Sequence, residues 1–187
     1  MRKILLTTLL AACACAHANP QGSGDEMGRF MTDKNLLSRI SAVGEQVEAR
    51  ATELVMNSMA FLGVPYKRGG TNAETGFDCS GFVRAIYEQT AGLVLPRRAE
   101  QQAAATQKID KTDLKPGDLV FFNTLRRAFS HVGIYVGNGK FIHSPKPGAE
   151  VRVEDMGMGY WAQRFDGARR VSADESTAST AAAAANR

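Results

Sequence analysis

The chain has 187 residues, enough for one domain with a sizeable core. Its hydrophobic (44%) and charged (22%) fractions are those of a soluble globular protein, and no apolar run beyond the N-terminal segment approaches membrane-spanning length. The formal charge of +4 comes with no Lys/Arg run carrying interleaved aromatics, so nucleic-acid binding gains no support.

The N-terminus reads as an export signal over residues 1–18. Arg2 and Lys3 form a positive start, Ile4 to Ala16 an apolar stretch, and "AHA" at 16–18 a small-residue cleavage site that sets the mature start at Asn19. Loss of Arg2 and Lys3 leaves the mature chain at about +2. A competing reading takes "LAAC" at 10–13 as a lipobox, with Cys13 lipidated and the protein anchored at the outer membrane. The apolar stretch before Cys13 is short for that route. Both readings export the protein, and simple cleavage leaves it in the periplasm.

Residues 19–34 are polar and contain glycine, as a linker does. From Leu36 to Leu62 apolar residues recur three or four apart, the helical period, with Gly44 leaving open one helix or two. "GVPYKRGG" (63–70) stops that pattern. Asp78 is a natural N-cap, which puts Cys79 in the first turn of a helix whose apolar face is Phe82, Val83, Ile86 and Tyr87. "LKPGDLVFF" (114–122) reads as a Pro-Gly turn feeding a strand, "HVGIYVGNGKFIHS" (131–144) as a hairpin, and "ARRVSA" (168–173) as a last strand. The tail, 173–187, lacks core-forming residues and reads as disordered. Helices first and antiparallel strands afterwards make an α+β domain.

Without the leader, Cys79 is the only cysteine, and His131 and His143 are the only histidines. A single thiol in an oxidising compartment is either a buried packing residue or a nucleophile. The flanking Asp78, Ser80 and Gly81 form a polar helix start, which favours the nucleophile. There the helix dipole favours a thiolate, a neighbouring imidazole supplies the base, and a third polar group orients the imidazole.

The hairpin decides whether the histidines can share that work. A two-residue turn at Asn138-Gly139 sets His143 opposite Ile134 and turns His131 to the other face. A three-residue loop, Gly137 to Gly139, pairs Gly133 with His143 and brings both imidazoles to one face, with Val132, Ile134 and Val136 toward the core. A zinc site of Cys79, His131 and His143 is chemically possible, although no local pair has metal-ligand spacing. Tyr66 and Tyr135 serve equally well as packing residues or site residues.

"FDCSGFV", "LPR" followed by "QQ", "LKPGDLVFF", "SHVGIYVGNGKFIHS" and "YWAQRFDGARRV" together resemble the NlpC family of bacterial cell-wall cysteine peptidases. Five motifs stand in the family's order, from about Val47 to Val171. The layout is most similar to murein endopeptidases of Gram-negative bacteria. The resemblance implies a papain-like α+β fold, with the nucleophile helix packed on an antiparallel sheet. It divides the chain into a signal peptide (1–18), a linker and N-terminal helical segment (19–46), a peptidase domain (47–172) and the tail (173–187). It also implies Cys79 as nucleophile, His131 as base and His143 as orienter. Tyr66 would stand beside the oxyanion site, and Asp78 and Ser80 would border the stem-peptide pocket. The implied substrate is the peptidoglycan stem peptide, cut by a monomer without cofactor or metal. The alternatives are a wall-binding protein with an inert site, or an amidase or acyltransferase on the same scaffold. One departure stands out: relatives usually carry Ser or Thr two places after "LPR", where this chain has Ala99. That puts local loop geometry or a substrate contact in question.

Overall fold

The computed structural model describes residues 34–124 and 126–172, with side chains from Ser38 onward. The expected export signal, Cys13, the linker up to Asp33 and the tail lie outside the described residues. Contacts divide the chain into Met1–Val43 and Gly44–Arg187. The elements run α1 (Lys34–Met59), β1 (Thr71–Asn72), β2 (Gly76–Phe77), α2 (Cys79–Ala91), α3 (Ala99–Ala104) and β3 (Gln107–Ile109). After a 3₁₀ turn (Lys111–Asp113) come β4 (Leu119–Phe122), β5 (His131–Gly137), β6 (Lys140–His143), β7 (Arg152–Asp155), α4 (Gly159–Ala162) and β8 (Phe165–Arg170).

α1 is one helix, not two, so Gly44 is tolerated within it. Its periodic apolar residues divide in fate: Ile40, Val43 and Val47 are exposed, whereas Leu54 is buried. Six strands form an antiparallel sheet in the order β3-β8-β4-β5-β6-β7, and β1 and β2 form a separate small hairpin.

The sheet is covered on both faces, and β4 shows why. Its four residues, Leu-Val-Phe-Phe, are all buried, because side chains alternate across a strand and both sides meet apolar neighbours. Leu119 and Phe121 enter a core with Phe82, Val83 and Ile86 of α2 and Val132 and Ile134 of β5. Val120 and Phe122 enter a second cluster with Phe141, Met156 and Trp161. Each fully buried Phe or Leu contributes about 1.5–3 kcal/mol relative to exposure.

The β5–β6 hairpin reaches the expected register by an unexpected route. Ile134 pairs with Ile142 and Tyr135 with Phe141, which carries Gly133 opposite His143. Yet the turn itself is the two-residue Asn138-Gly139, since Gly137 pairs with Lys140. A bulge between Tyr135 and Gly137 absorbs the extra residue, and Gly137, Asn138 and Gly139 all have positive φ (98°, 51° and 71°). Parity then sets His131, Gly133 and His143 on one face.

That face is crowded. A methyl group on Gly133 would stand 2.6 Å from Phe141 Cδ2, 2.9 Å from the Ile142 carbonyl oxygen and 3.2 Å from His143 Cβ. Glycine is therefore required there for close approach. Ala99, the departure noted in the sequence, is the first residue of α3 and packs into the core.

Candidate active site

The candidate nucleophile is fixed by a helix start. Asp78 has extended backbone and accepts the Gly81 N–H at 2.8 Å, so Cys79 is the first residue of α2. Asp78 is held in turn: the Arg97 guanidinium donates to its two oxygens at 3.0 and 2.6 Å, and the Gly69 N–H donates at 3.0 Å. Arg97 also donates to Ser80 Oγ at 3.0 Å. Buried Gln102 donates to the Ser80 and Pro96 carbonyls at 3.0 and 2.9 Å. Ser144, just after β6, donates to the Phe77 carbonyl at 2.7 Å and ties the histidine strand to the nucleophile's loop.

Cys79, Tyr66 and His131 line one cleft of about 680 Å³, together with Arg152, Glu154, Tyr160 and Trp161 among others. A hollow of about 800 Å³ along β3 and the 3₁₀ turn holds neither cysteine nor histidine. It is an open groove remote from the chemistry. Asp78 and Ser80, expected to border the substrate pocket, are absent from the cleft lining. Their side chains are engaged by Arg97, which ties the cap residue and the residue after Cys79 together. Tyr135 accepts the Gly139 N–H at 3.1 Å and packs with the second cluster, a structural post.

His131 Nε2 lies 2.7 Å from His143 Nδ1, with both rings buried and nearly perpendicular. Trp161 stacks on His131 at 5.5 Å and meets His143 edge-on at 5.0 Å. Nitrogens that face each other at hydrogen-bond distance are spent on each other, which is the opposite of converging on a shared zinc ion. With Nε2 engaged, Nδ1 is the His131 nitrogen left to serve the cleft. Burial, and after it the neighbouring His143, holds His131 well below the ordinary histidine range. Burial likewise lowers His143.

The thiol departs from expectation. Burial and then the Asp78 carboxylate push Cys79 up to about 11, against the helix-start amides, and the backbone N–H groups of Val132 and Ser80 that point at the sulfur offset this only partly. Both shifts run toward the neutral thiol and the neutral imidazole, against the helix-start preference for a thiolate. Tyr66 is raised by burial and by Cys79 beside it, which keeps its hydroxyl a donor. Its loop is stitched to the nucleophile: Tyr66 bridges Phe77, and Lys67 N–H donates to the Phe77 carbonyl at 2.9 Å.

Three residues of the site escaped sequence reasoning. Glu154 Oε2 lies 3.4 Å from His143 Nε2 and accepts the Trp161 indole N–H. Arg152 holds Glu154 Oε1 from Nε and from a terminal nitrogen, each at 2.5 Å. The alternating Val151, Arg152, Val153 and Glu154 was a strand signal that could have placed Glu154 beside the histidine strand.

Cysteine at a helix start, two histidines joined in series and a tyrosine at the cleft wall match a family as well as a chemistry. Residues 63–170 match the NlpC/P60 family. The chain belongs to it. Among curated NlpC/P60 relatives, Murein DD-endopeptidase MepH of Escherichia coli K12 is 44% identical over 126 residues, 65% of this chain and 46% of that protein. The chain thus spans under half of that relative's length. Murein DD-endopeptidase MepS/Murein LD-carboxypeptidase of the same strain is 32% identical over 178 residues, 90% of this chain and 89% of that protein. A solved NlpC/P60 family protein from Bacillus cereus ATCC 10987 superposes with a TM-score of 0.60 at 37% identity, covering 64% of this chain and 39% of its own. The α+β, papain-like expectation agrees with this fold.

Proposed function

We propose that this NlpC/P60 protein is a peptidoglycan endopeptidase that cuts a peptide bond of the stem peptide or cross-link through an acyl-enzyme. The observation that carries the reading is the 2.7 Å contact between His131 Nε2 and His143 Nδ1, in a cleft wall shared with Cys79. It turns His131 Nδ1 into the base for the thiol.

As the Cys79 sulfur bonds to the scissile carbonyl carbon, its proton passes to His131 Nδ1. The carbonyl oxygen becomes an oxyanion, met by the Cys79 amide, which the helix cannot use itself, and by the Tyr66 hydroxyl. His131 then protonates the leaving amine as the C–N bond breaks. A water, deprotonated by His131, attacks the thioester and releases the acid and the thiol.

The names of the MepH and MepS relatives support murein as substrate. The D-Ala to diaminopimelate cross-link is the first candidate bond and the D-Glu to diaminopimelate bond the second. Export to the periplasm, with a free chain starting at Asn19, completes the reading. A diacylglyceryl group on Cys13, read by mass spectrometry, would replace the free chain with an anchored one.

The test is a digest of purified muropeptides, with the new termini identified by mass spectrometry, beside Cys79→Ala. New amine and carboxyl termini that vanish in Cys79→Ala are expected. Equal turnover by Cys79→Ala, or transfer products in place of hydrolysis, would overturn the proposal.

A further inference from the structure

The Cys79–His131–His143 series works only in one pair of tautomers. For His131 Nδ1 to take a proton, it must present a lone pair, so its proton sits on Nε2 and is donated to His143 Nδ1. That nitrogen must then be the bare one, and the His143 proton sits on Nε2. The reverse arrangement satisfies the same 2.7 Å contact equally well, with His143 Nδ1 donating to His131 Nε2. It leaves a proton on His131 Nδ1, and the base is blocked. Two isolated imidazoles have no reason to prefer the productive order, so something beyond the pair must choose.

The far nitrogen of His143 is where that choice is made. Nε2 is buried, and no well-aligned hydrogen bond satisfies it. The group that faces it is the Glu154 carboxylate at 3.4 Å. A carboxylate only accepts, so a proton on Nε2 is attracted and a lone pair there is repelled. Beside apolar Phe122 and Phe141, the rings meet each other, Arg152 and Glu154 from β7, and the neutral Trp161 of α4. Among the described residues that act on the two rings, Glu154 is the anion. Its contact with His143, with Arg152 and Trp161 beside it, holds its carboxyl at about 2, so it stays ionised throughout the working range. Trp161 and Arg152 also pin both of its oxygens.

Building on the catalytic reading above, we propose that Glu154 is a positioning residue of this site, whose carboxylate acts through His143 to select the tautomer that makes His131 a base. The same carboxylate lies behind the pair when His131 becomes an imidazolium, and so favours that charge. Glu154 lines the cleft wall but takes no part in making or breaking bonds in this scheme. Its effect falls on turnover, not on substrate binding.

Glu154→Gln tests this, because the amide cannot imitate the carboxylate. With its oxygen toward Trp161 and His143, its NH₂ confronts Arg152; flipped, its NH₂ confronts the Trp161 N–H and favours a bare His143 Nε2. Muropeptide turnover should fall about 10–100-fold in kcat, the range for outer partners that orient histidines, with KM nearly unchanged. Ring ¹⁵N spectra near neutral pH should show His143 protonated on Nε2 in the unmodified protein and a shift toward the Nδ1-protonated form in the variant. A spectrum of the unmodified protein with the proton on Nδ1 would overturn the proposal without any variant. So would Glu154→Gln with normal kcat and an unmoved spectrum. Cys79→Ala, run alongside, separates the two levels: activity there sinks the thiol mechanism, while the ring spectra still report on Glu154.

Discussion

His131 Nε2 and His143 Nδ1 stand 2.7 Å apart, on adjacent strands and with both side chains buried. The contact is asymmetric in consequence, because of the two histidines His131 is the one that lines the cleft. Glutamine at 143 can still accept the His131 N–H, whereas glutamine at 131 cannot shuttle a proton. His131→Gln should therefore lose about 10²–10⁴ in kcat, and His143→Gln less, with measurable turnover left. Steady-state hydrolysis of purified muropeptides checks this, and a greater loss at His143 would reverse the roles.

Gly133 makes this pairing possible. An added methyl meets the Ile142 carbonyl oxygen at 2.9 Å, and a backbone atom in the sheet's interior cannot yield as a flexible side chain would. Gly133→Ala should cost about 1–3 kcal/mol. Because His143 Cβ is also pressed, turnover should fall at least about tenfold, as small displacements of reacting groups do. Thermal melts and kcat check both effects, and an unchanged pair would mean the strands open freely here.

How much of this could be read from the chain differs by element. Asp78 as cap and Cys79 at the helix start follow from local chemistry, which the surrounding fold reinforces. The face shared by His131 and His143 follows from strand alternation, although a bulge at Val136 does what a longer loop was expected to do. β7 was missed because it is a four-residue strand following a Pro-Gly-containing stretch, and Glu154 with it. Its role depends on a neighbour eleven residues earlier, across a strand pair. Gln102 sits in a polar, Gln-rich stretch that reads as surface, yet it is buried to bridge the Ser80 and Pro96 carbonyls. The thiol's raised pKa was illegible too, since burial and the exact facing of Asp78 belong to packing.

Arg97 is a fork, and its charge alone should not suffice. It engages both oxygens of Asp78 and the Ser80 hydroxyl, holding the cap residue and the residue after the nucleophile in one grip. Lysine at this place keeps the charge but reaches one acceptor at a time. Arg97→Lys should lower kcat/KM about tenfold or more through misplacement of Cys79. It should also lower Tm by a few degrees, roughly 2–4 °C for each kcal/mol lost. Wild-type kcat/KM in Arg97→Lys would show that charge alone sets the loop.

Acid should unfold the protein through its buried histidines before its carboxylates matter. His131 and His143 are held neutral by burial, so their folded pKa values lie below the unfolded value of about 6.5. Above pH 6.5 neither state binds these protons, and stability is at its full value. As pH falls through 6.5 the unfolded chain takes up protons that the folded protein refuses, so stability falls. The slope reaches about 1.4 kcal/mol per pH unit for each histidine. Glu154 acts with the same sign at lower pH: its stabilisation is complete above its ordinary value of 4.5 and is lost as pH falls toward about 2. Tm should therefore hold from pH 8 to about 6.5 and decline steeply by pH 5, with His143→Gln flattening part of that decline because glutamine does not titrate. A Tm constant from pH 7.5 to 5 would mean that the histidines titrate freely, and the buried pair inferred from their contact would be wrong.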